Sequence, residues 1–243
     1  LTTDFGLADG YVGAMKGAIL NVNPRATLVD LSHQIRPHDI RQGAYQLSTS
    51  FGVFPPGTVH FAVVDPGVGS ARAILAGRFD GQIFVAPDNG LLTLVHHMCA
   101  PEILVLVEND LFFRPSVSAT FHGRDIMAPV AAALADGMLL KEVGPEIDLE
   151  QCVQLDVPVT QFDENGITGR VIYMDRFGNI RTTITSSTLA QYQPSSFAGI
   201  FIGKHRINSI SSTYSDVAAG ELLALIDSAG HMEIAVNKGN AVE

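Results

Sequence analysis

"TVHFAVVDPGVGSAR", residues 58–72, is the stretch on which the reading of the fold turns. An almost unbroken apolar run, Val59–Val64, stops at an aspartate, a proline and two glycines. Strands buried on both faces carry such runs, whereas a strand wetted on one face alternates. Similar runs recur at "ATLVDLS" (26–32), "QIFVAPD" (82–88) and "EILVLV" (102–107). Stretches with helical spacing lie between and after them: "YVGAMKGAILNV" (11–22), "DIRQGAYQLSTSF" (39–51), "GLLTLVHHM" (90–98) and "GRDIMAPVAAALADG" (123–137). Pro129 is expected in the first turns of the last, where its missing N–H is tolerated. Strands alternating with helices predict a Rossmann-like α/β domain with a mainly parallel sheet.

The pattern changes after Gly144. Short strand-like runs follow: "ITGRVIYMD" (167–175), "IRTTIT" (180–185), "FAGIFIG" (197–203), "ELLALID" (221–227) and "HMEIAVN" (231–237). Only "SSTLAQY" (186–192) has helical character. The expectation is a smaller all-β domain, a β-barrel, with the boundary near Leu155–Val159 and domains 1–156 and 157–243.

The 243 residues are 47% hydrophobic and 16% charged, enough for a sizeable core. Net charge is −10, which argues against a nucleic-acid partner, because phosphate binding needs a basic face. No apolar run approaches the roughly 18–20 residues that cross a bilayer, so no membrane partner is expected. Cys99 and Cys152 have neither metal nor redox spacing, and a reducing cytoplasm fits them. Leu1 reads as the end of a strand, so a few residues are expected upstream.

Polar signals collect where strands end: Asp4, Asp30–His33, Asp65 and Asp88. In open α/β sheets ligands bind beyond the carboxyl ends of strands, so Asp4, Asp9, Asp65 and Asp88 are candidates for one crevice. Each also reads as a strand stop or helix cap. "DFGLA" (4–8) and "FHGRD" (121–125) resemble kinase loops, but in kinases a glycine-rich loop, a lysine and the HRD loop precede DFG. The order here excludes that reading. "GVGSAR" (67–72) has Arg72 where a dinucleotide fingerprint needs its third glycine. Walker A, G-x-S-x-G and H-E-x-x-H are all missing from the sequence.

The chain resembles the S-adenosylmethionine (SAM) hydroxide adenosyltransferases, relatives of the fluorinating and chlorinating enzymes. The matching blocks are "LTTDFGLADGYVGAMKGAI", "SHQIRPHDIRQGA", "VDPGVGSAR", "APDNGLL", "TFHGRDIMAPVAA", "DRFGNIRTTI" and "SAGHMEIAVNKGNA", in family order over nearly the whole chain. The resemblance implies an N-terminal α/β domain, a C-terminal β-barrel, and a homotrimer with sites between one subunit's N-domain and its neighbour's C-domain. It implies hydrolysis of SAM to adenosine and L-methionine in the cytoplasm, with SAM as substrate, no cofactor and no metal.

The resemblance also carries residues. The hydrolytic subgroup's catalytic trio falls on Asp65, Arg72 and His122; the halogenating relatives lack it. Water attacking the ribose C5′ expels methionine as a neutral thioether, so no general acid is needed and the site must place and activate one water. Asp65 could accept its proton, Arg72 could keep Asp65 ionised, and His122 could hold or relay a proton. Asp4 resembles the aspartate that takes both ribose hydroxyls, and Asp9 the one near the methionine ammonium. Phe177 and Asn179 resemble adenine-site residues, and Ser228 a methionine-carboxylate contact. Tyr214 aligns loosely, either stacking on adenine or packing in the core. His38 stands where a halogenase has tryptophan, and Thr183 where many relatives have asparagine. The alternatives are a halide-using SAM adenosyltransferase, a non-catalytic SAM or adenosine binder, and a metal-dependent nucleotidase.

Overall fold

The computed structural model describes residues 1–164, 166–192 and 198–242. The chain divides into two compact units, Leu1–Leu155 and Asp156–Glu243.

The first unit is built on a five-stranded sheet of β1 (Thr2–Thr3), β2 (Val59–Val63), β3 (Ile74–Phe79), β4 (Gln82–Pro87) and β5 (Pro101–Leu106). The strand order is β1-β2-β4-β3-β5. β1, β2 and β4 pair in parallel, while β3 runs antiparallel to both β4 and β5. The sheet is therefore mixed. β3 is the strand the apolar-run reading omits, and its signal is Asp80–Gly81. Both residues have positive φ (49° and 69°), as a tight two-residue hairpin requires, with Phe79 opposite Gln82. "ATLVDLS" is not a strand. It meets β1 through an isolated bridge at Ser32 and through the bonds Thr3 N to Ser32 O (2.9 Å) and Leu31 N to Leu1 O (2.8 Å).

The continuous runs are buried on both faces. Phe61, Val63 and Val85 pack with Met15 and Ile19 of α1 (Tyr11–Val22) and with Val130 and Leu134, whereas Ala62, Val64 and Phe84 pack on the other face with Leu47 of α2 (Ile40–Ser50) and Val95 of α3 (Thr93–Met98). Alternate residues of one strand thus feed two apolar layers. Each fully buried Val, Leu, Ile, Phe or Met side chain among them stabilises by roughly 1.5–3 kcal/mol. Val130 and Leu134 lie on α4 (Ala128–Ala135), which is entered through a π-helical turn, Gly123–Met127. Pro129 sits in α4's first turn, as expected.

The second unit holds β6 (Gln161–Asp163), β7 (Gly166–Thr168), β8 (Val171–Met174), β9 (Ile180–Thr185), α5 (Ser186–Gln191), β10 (Ile200–Ile202), β11 (His205–Ile207), β12 (Ile210–Ser211), β13 (Leu222–Ile226) and β14 (His231–Val236). Phe197, the first residue of "FAGIFIG", lies outside the described residues. β12-β13-β14-β9-β8 form one sheet, while β6–β7 and β10–β11 are separate hairpins. No closed barrel forms among the described strands; the pairing stops at β12 and β8. In β9, Ile180, Thr182 and Ile184 point inward with period two. They face a core that includes Ala224, Met232 and Ile234.

Candidate active site

The parallel register fixes where the acids go. Thr3 pairs with Val63, so Asp4 and Asp65 leave the carboxyl ends of adjacent strands. Asn89, after β4, holds this edge by donating from Nδ2 to Val64 O at 2.8 Å. Asp65 then starts a turn, with Val68 N donating to Asp65 O at 3.2 Å and Ser70 N to Gly67 O at 3.1 Å. The turn folds Arg72 back onto Asp65. Arg72 Nε lies 3.0 and 2.9 Å from the two carboxylate oxygens, and Nη2 lies 2.5 Å from Oδ2. The side chains are only 10% and 4% exposed. Such a charge-assisted fork holds both groups in one plane.

His122 completes the chain, with Nδ1 3.1 Å from Arg72 Nη2. A guanidinium can only donate, so Nδ1 accepts and the ring proton belongs on Nε2. Burial and the Arg72 cation together push the His122 pKa below its usual value, against Asp65 and Asp125, which raise it. Burial and Arg72 thus favour the neutral ring, whose N–H is then on Nε2. The structure brings Asp65, Arg72 and His122 together from two loops fifty residues apart in sequence.

His122 leads into the π turn, where Gly123 lies against Val63 and Met15. Next to it, Phe121 packs with Phe5 (5.9 Å) and Tyr11 (5.5 Å), and those two with each other (5.8 Å). This aromatic trio ties the "TDFG" turn, the start of α1 and the "FHGRD" loop into one body. The sequence reading assigned it no role; its only signal is an aromatic within each of those motifs.

Asp4 is half-buried, and its Oδ2 accepts His38 N at 2.8 Å. His38 has φ 68°, a left-handed backbone that is unusual for a side-chain-bearing residue and is associated with functional sites. Asp39 caps α2 through Gln42 N at 2.9 Å. Asp9 is exposed just before α1. Asp88 does not join this group. Its Oδ1 accepts Val153 N at 2.9 Å, and burial raises its carboxyl above the usual range. Asp88 is an anchor for a loop.

In the second unit, Asp175 organises "DRFGN". Its Oδ1 accepts Phe177 N (2.8 Å) and Asn179 N (2.9 Å), and its Oδ2 accepts Asn179 Nδ2 (3.0 Å). Phe177 is a large ring left 76% exposed. Ser228 lies exposed in the β13–β14 turn, which Asp227 closes by accepting Ala229 N (2.8 Å) and His231 N (3.0 Å). Arg181 is ion-paired to Asp227. Tyr214 donates its hydroxyl to buried Glu233 at 2.7 Å. Burial, then the bond to Glu233, push the Tyr214 hydroxyl up to about 12. Among the described residues no group of His, Cys, Asp or Glu is placed to hold a metal ion. Among the described residues no helix is long and apolar enough to cross a membrane.

Comparison with known proteins gives matches over both units. The profile of the SAM hydroxide adenosyltransferase N-terminal domain matches residues 1–144, and that of the C-terminal domain matches residues 169–243. A curated (R)-S-adenosyl-L-methionine hydrolase of Salinispora tropica is 40% identical over 100% of this chain and 91% of its own. Another, of Thermus thermophilus, is 38% identical over 99% and 92%. A crystal structure of an uncharacterised conserved protein from Thermotoga maritima superposes with a TM-score of 0.91, at 36% identity, over 99% of this chain and 92% of that one.

Proposed function

The chain belongs to the SAM hydroxide adenosyltransferase family, and from that membership we propose that it hydrolyses S-adenosyl-L-methionine to adenosine and L-methionine. The observation that carries the reading is the closed Asp65–Arg72–His122 chain. Water oxygen forms a bond to the ribose C5′, and the C5′–sulfur bond breaks. Sulfur keeps the electron pair, so methionine leaves as a neutral thioether. The water proton passes to Asp65 and then to solvent. Arg72 holds the Asp65 carboxylate in place through both of its oxygens. His122 holds the water through its Nε2 proton, because its Nδ1 is already occupied by Arg72. Placing water in line with the breaking bond supplies much of the rate.

Asp4 binds the ribose, with its Oδ1 free of the backbone bond that Oδ2 makes. Asp9 takes the methionine ammonium and Ser228 its carboxylate. Phe177 and Asn179 take the adenine, supported by the turn that Asp175 holds rigid. Tyr214 is better read as a partner of Glu233 than as a stacking ring. SAM is substrate, and the reaction uses no metal or other cofactor. The N-terminal unit is read as Rossmann-like and the C-terminal strands as barrel-forming. The protein is read as a cytoplasmic homotrimer in which neighbouring subunits complete each site; the two free cysteines, Cys99 and Cys152, fit that compartment.

The test is chromatography of SAM incubated with the purified protein. Adenosine and methionine are expected in equal amounts. A 5′-chloro nucleoside appearing with chloride would support the halide-using alternative. Bound SAM without turnover would leave only a binder.

A further inference from the structure

Asp125 lies three residues beyond His122 and is fully buried. Its two oxygens take four hydrogen bonds. Oδ1 accepts Arg114 Nη1 at 3.1 Å and Arg124 Nε at 2.7 Å; Oδ2 accepts Arg124 Nη2 at 2.8 Å and Ser118 N at 2.9 Å. Its backbone oxygen also accepts Arg114 N at 2.9 Å. One carboxylate therefore closes the loop 114–125 on itself.

A buried ion pair is weak evidence for stability, because desolvation offsets most of the attraction. What this one does is geometric. The far side of the loop rests on the turn that carries Asp65: a Cβ on Gly69 would fall 2.3 Å from Ala119 O. Arg124, gripped by Asp125, lies with its guanidinium 4.8 Å from the Phe121 ring centre. Phe121 and Gly123 flank His122, and Asp125 fixes the segment on both sides of them.

We propose that Asp125 is a positioning residue for the hydrolysis, holding the loop 114–125 so that His122 Nδ1 stays on Arg72. It rests on the function proposed above. A loop free to shift by an ångström would break the 3.1 Å contact and leave the water without its His122 donor. The charged groups that act on His122 are Arg72, Asp65 and Asp125; the last raises its pKa. Removing the Asp125 charge, and so unmasking Arg114 and Arg124, moves the His122 titration to lower pH.

The experiment compares wild type, Asp125→Asn, His122→Ala and the double variant, with Arg124→Gln as a milder cut should Asp125→Asn fail to fold. Asp125→Asn is expected to lower kcat by about tenfold or more with KM within about threefold, and to move the acid limb of the kcat profile downward. In the His122→Ala background the same change is expected to cost less than about twofold. Arg124→Gln should show the same pattern with a smaller loss. Full kcat in folded Asp125→Asn, or an equal loss with and without His122, overturns the proposal. NMR titration of the His122 ring reads the positioning without turnover. A lower His122 pKa and a weakened Nδ1 hydrogen bond in Asp125→Asn support it, and an unchanged ring overturns it. Wild type that binds SAM without cleaving it would sink the proposed function alone, and the NMR result would still decide the role of Asp125.

Discussion

Asp65 and Asp4 leave adjacent strand ends, yet they should fail differently when cut. Asp65 is enclosed by Arg72, so Asp65→Ala removes the proposed proton acceptor while the proposed binding groups remain. Turnover should vanish, and SAM affinity measured by calorimetry should change by less than about tenfold. Asp4→Ala should weaken binding strongly in the same measurement; an unchanged affinity would remove Asp4 from the ribose site. His122 sets the acid side of the pH profile. In the proposed mechanism it works as the neutral ring, and burial and Arg72 hold its pKa below the usual 6.5, so kcat should fall as pH drops through a midpoint under that value. An acid limb that persists unchanged in His122→Gln would assign the titration elsewhere.

At the scale of elements, the catalytic loops are held by contacts that tolerate little change. Gly69 has φ 78° and no room for a Cβ against Ala119 O. Gly69→Ala should therefore lower stability by about 1–3 kcal/mol, read as a drop in Tm, and reduce kcat by displacing both loops. The Asp125 carboxyl is held at about 2, first by its bonds to Arg124, against 3.8 unperturbed. A depressed folded-state pKa contributes stability above the unfolded value that is lost as pH falls through the folded one. The stability gap between wild type and Asp125→Asn should thus be full at neutral pH and close between about pH 4 and pH 2 in denaturant titrations. In the second unit, Asp175→Ala should free the turn carrying Phe177 and Asn179. KM for SAM should rise more than kcat falls; an unchanged KM would mean the turn does not depend on Asp175.

For the whole molecule, hydrolysis should be insensitive to EDTA, and sedimentation equilibrium should give three times the chain mass. A monomer with full activity would defeat the shared-site reading. Two halves with different grammars were visible from residue order alone: continuous apolar runs before Gly144, short alternating strands after it. A one-dimensional pattern reports what each element buries. It does not report which strand lies beside which, so β3 was hidden although its Asp80–Gly81 hairpin signal stood in plain sight. For the same reason "ATLVDLS" looked like a strand, although it meets its neighbour through an isolated bridge at Ser32. Asp88 looked equivalent to Asp65 because both follow apolar runs, but its side chain is used by Val153 N.

The sequence by itself determined the resemblance and, through it, the candidates. The blocks "VDPGVGSAR" and "TFHGRD" resemble the hydrolytic subgroup and so propose Asp65, Arg72 and His122, and the water chemistry proposed for them follows from their functional groups. The tertiary structure alone decided their relations. Arg72 bridges the other two, which assigns the His122 tautomer. Asp125, unremarked inside "FHGRD", grips two arginines and its own loop. Hydrogen-bond direction and loop closure depend on distances between residues far apart in the chain, and distance is the quantity that only folding sets.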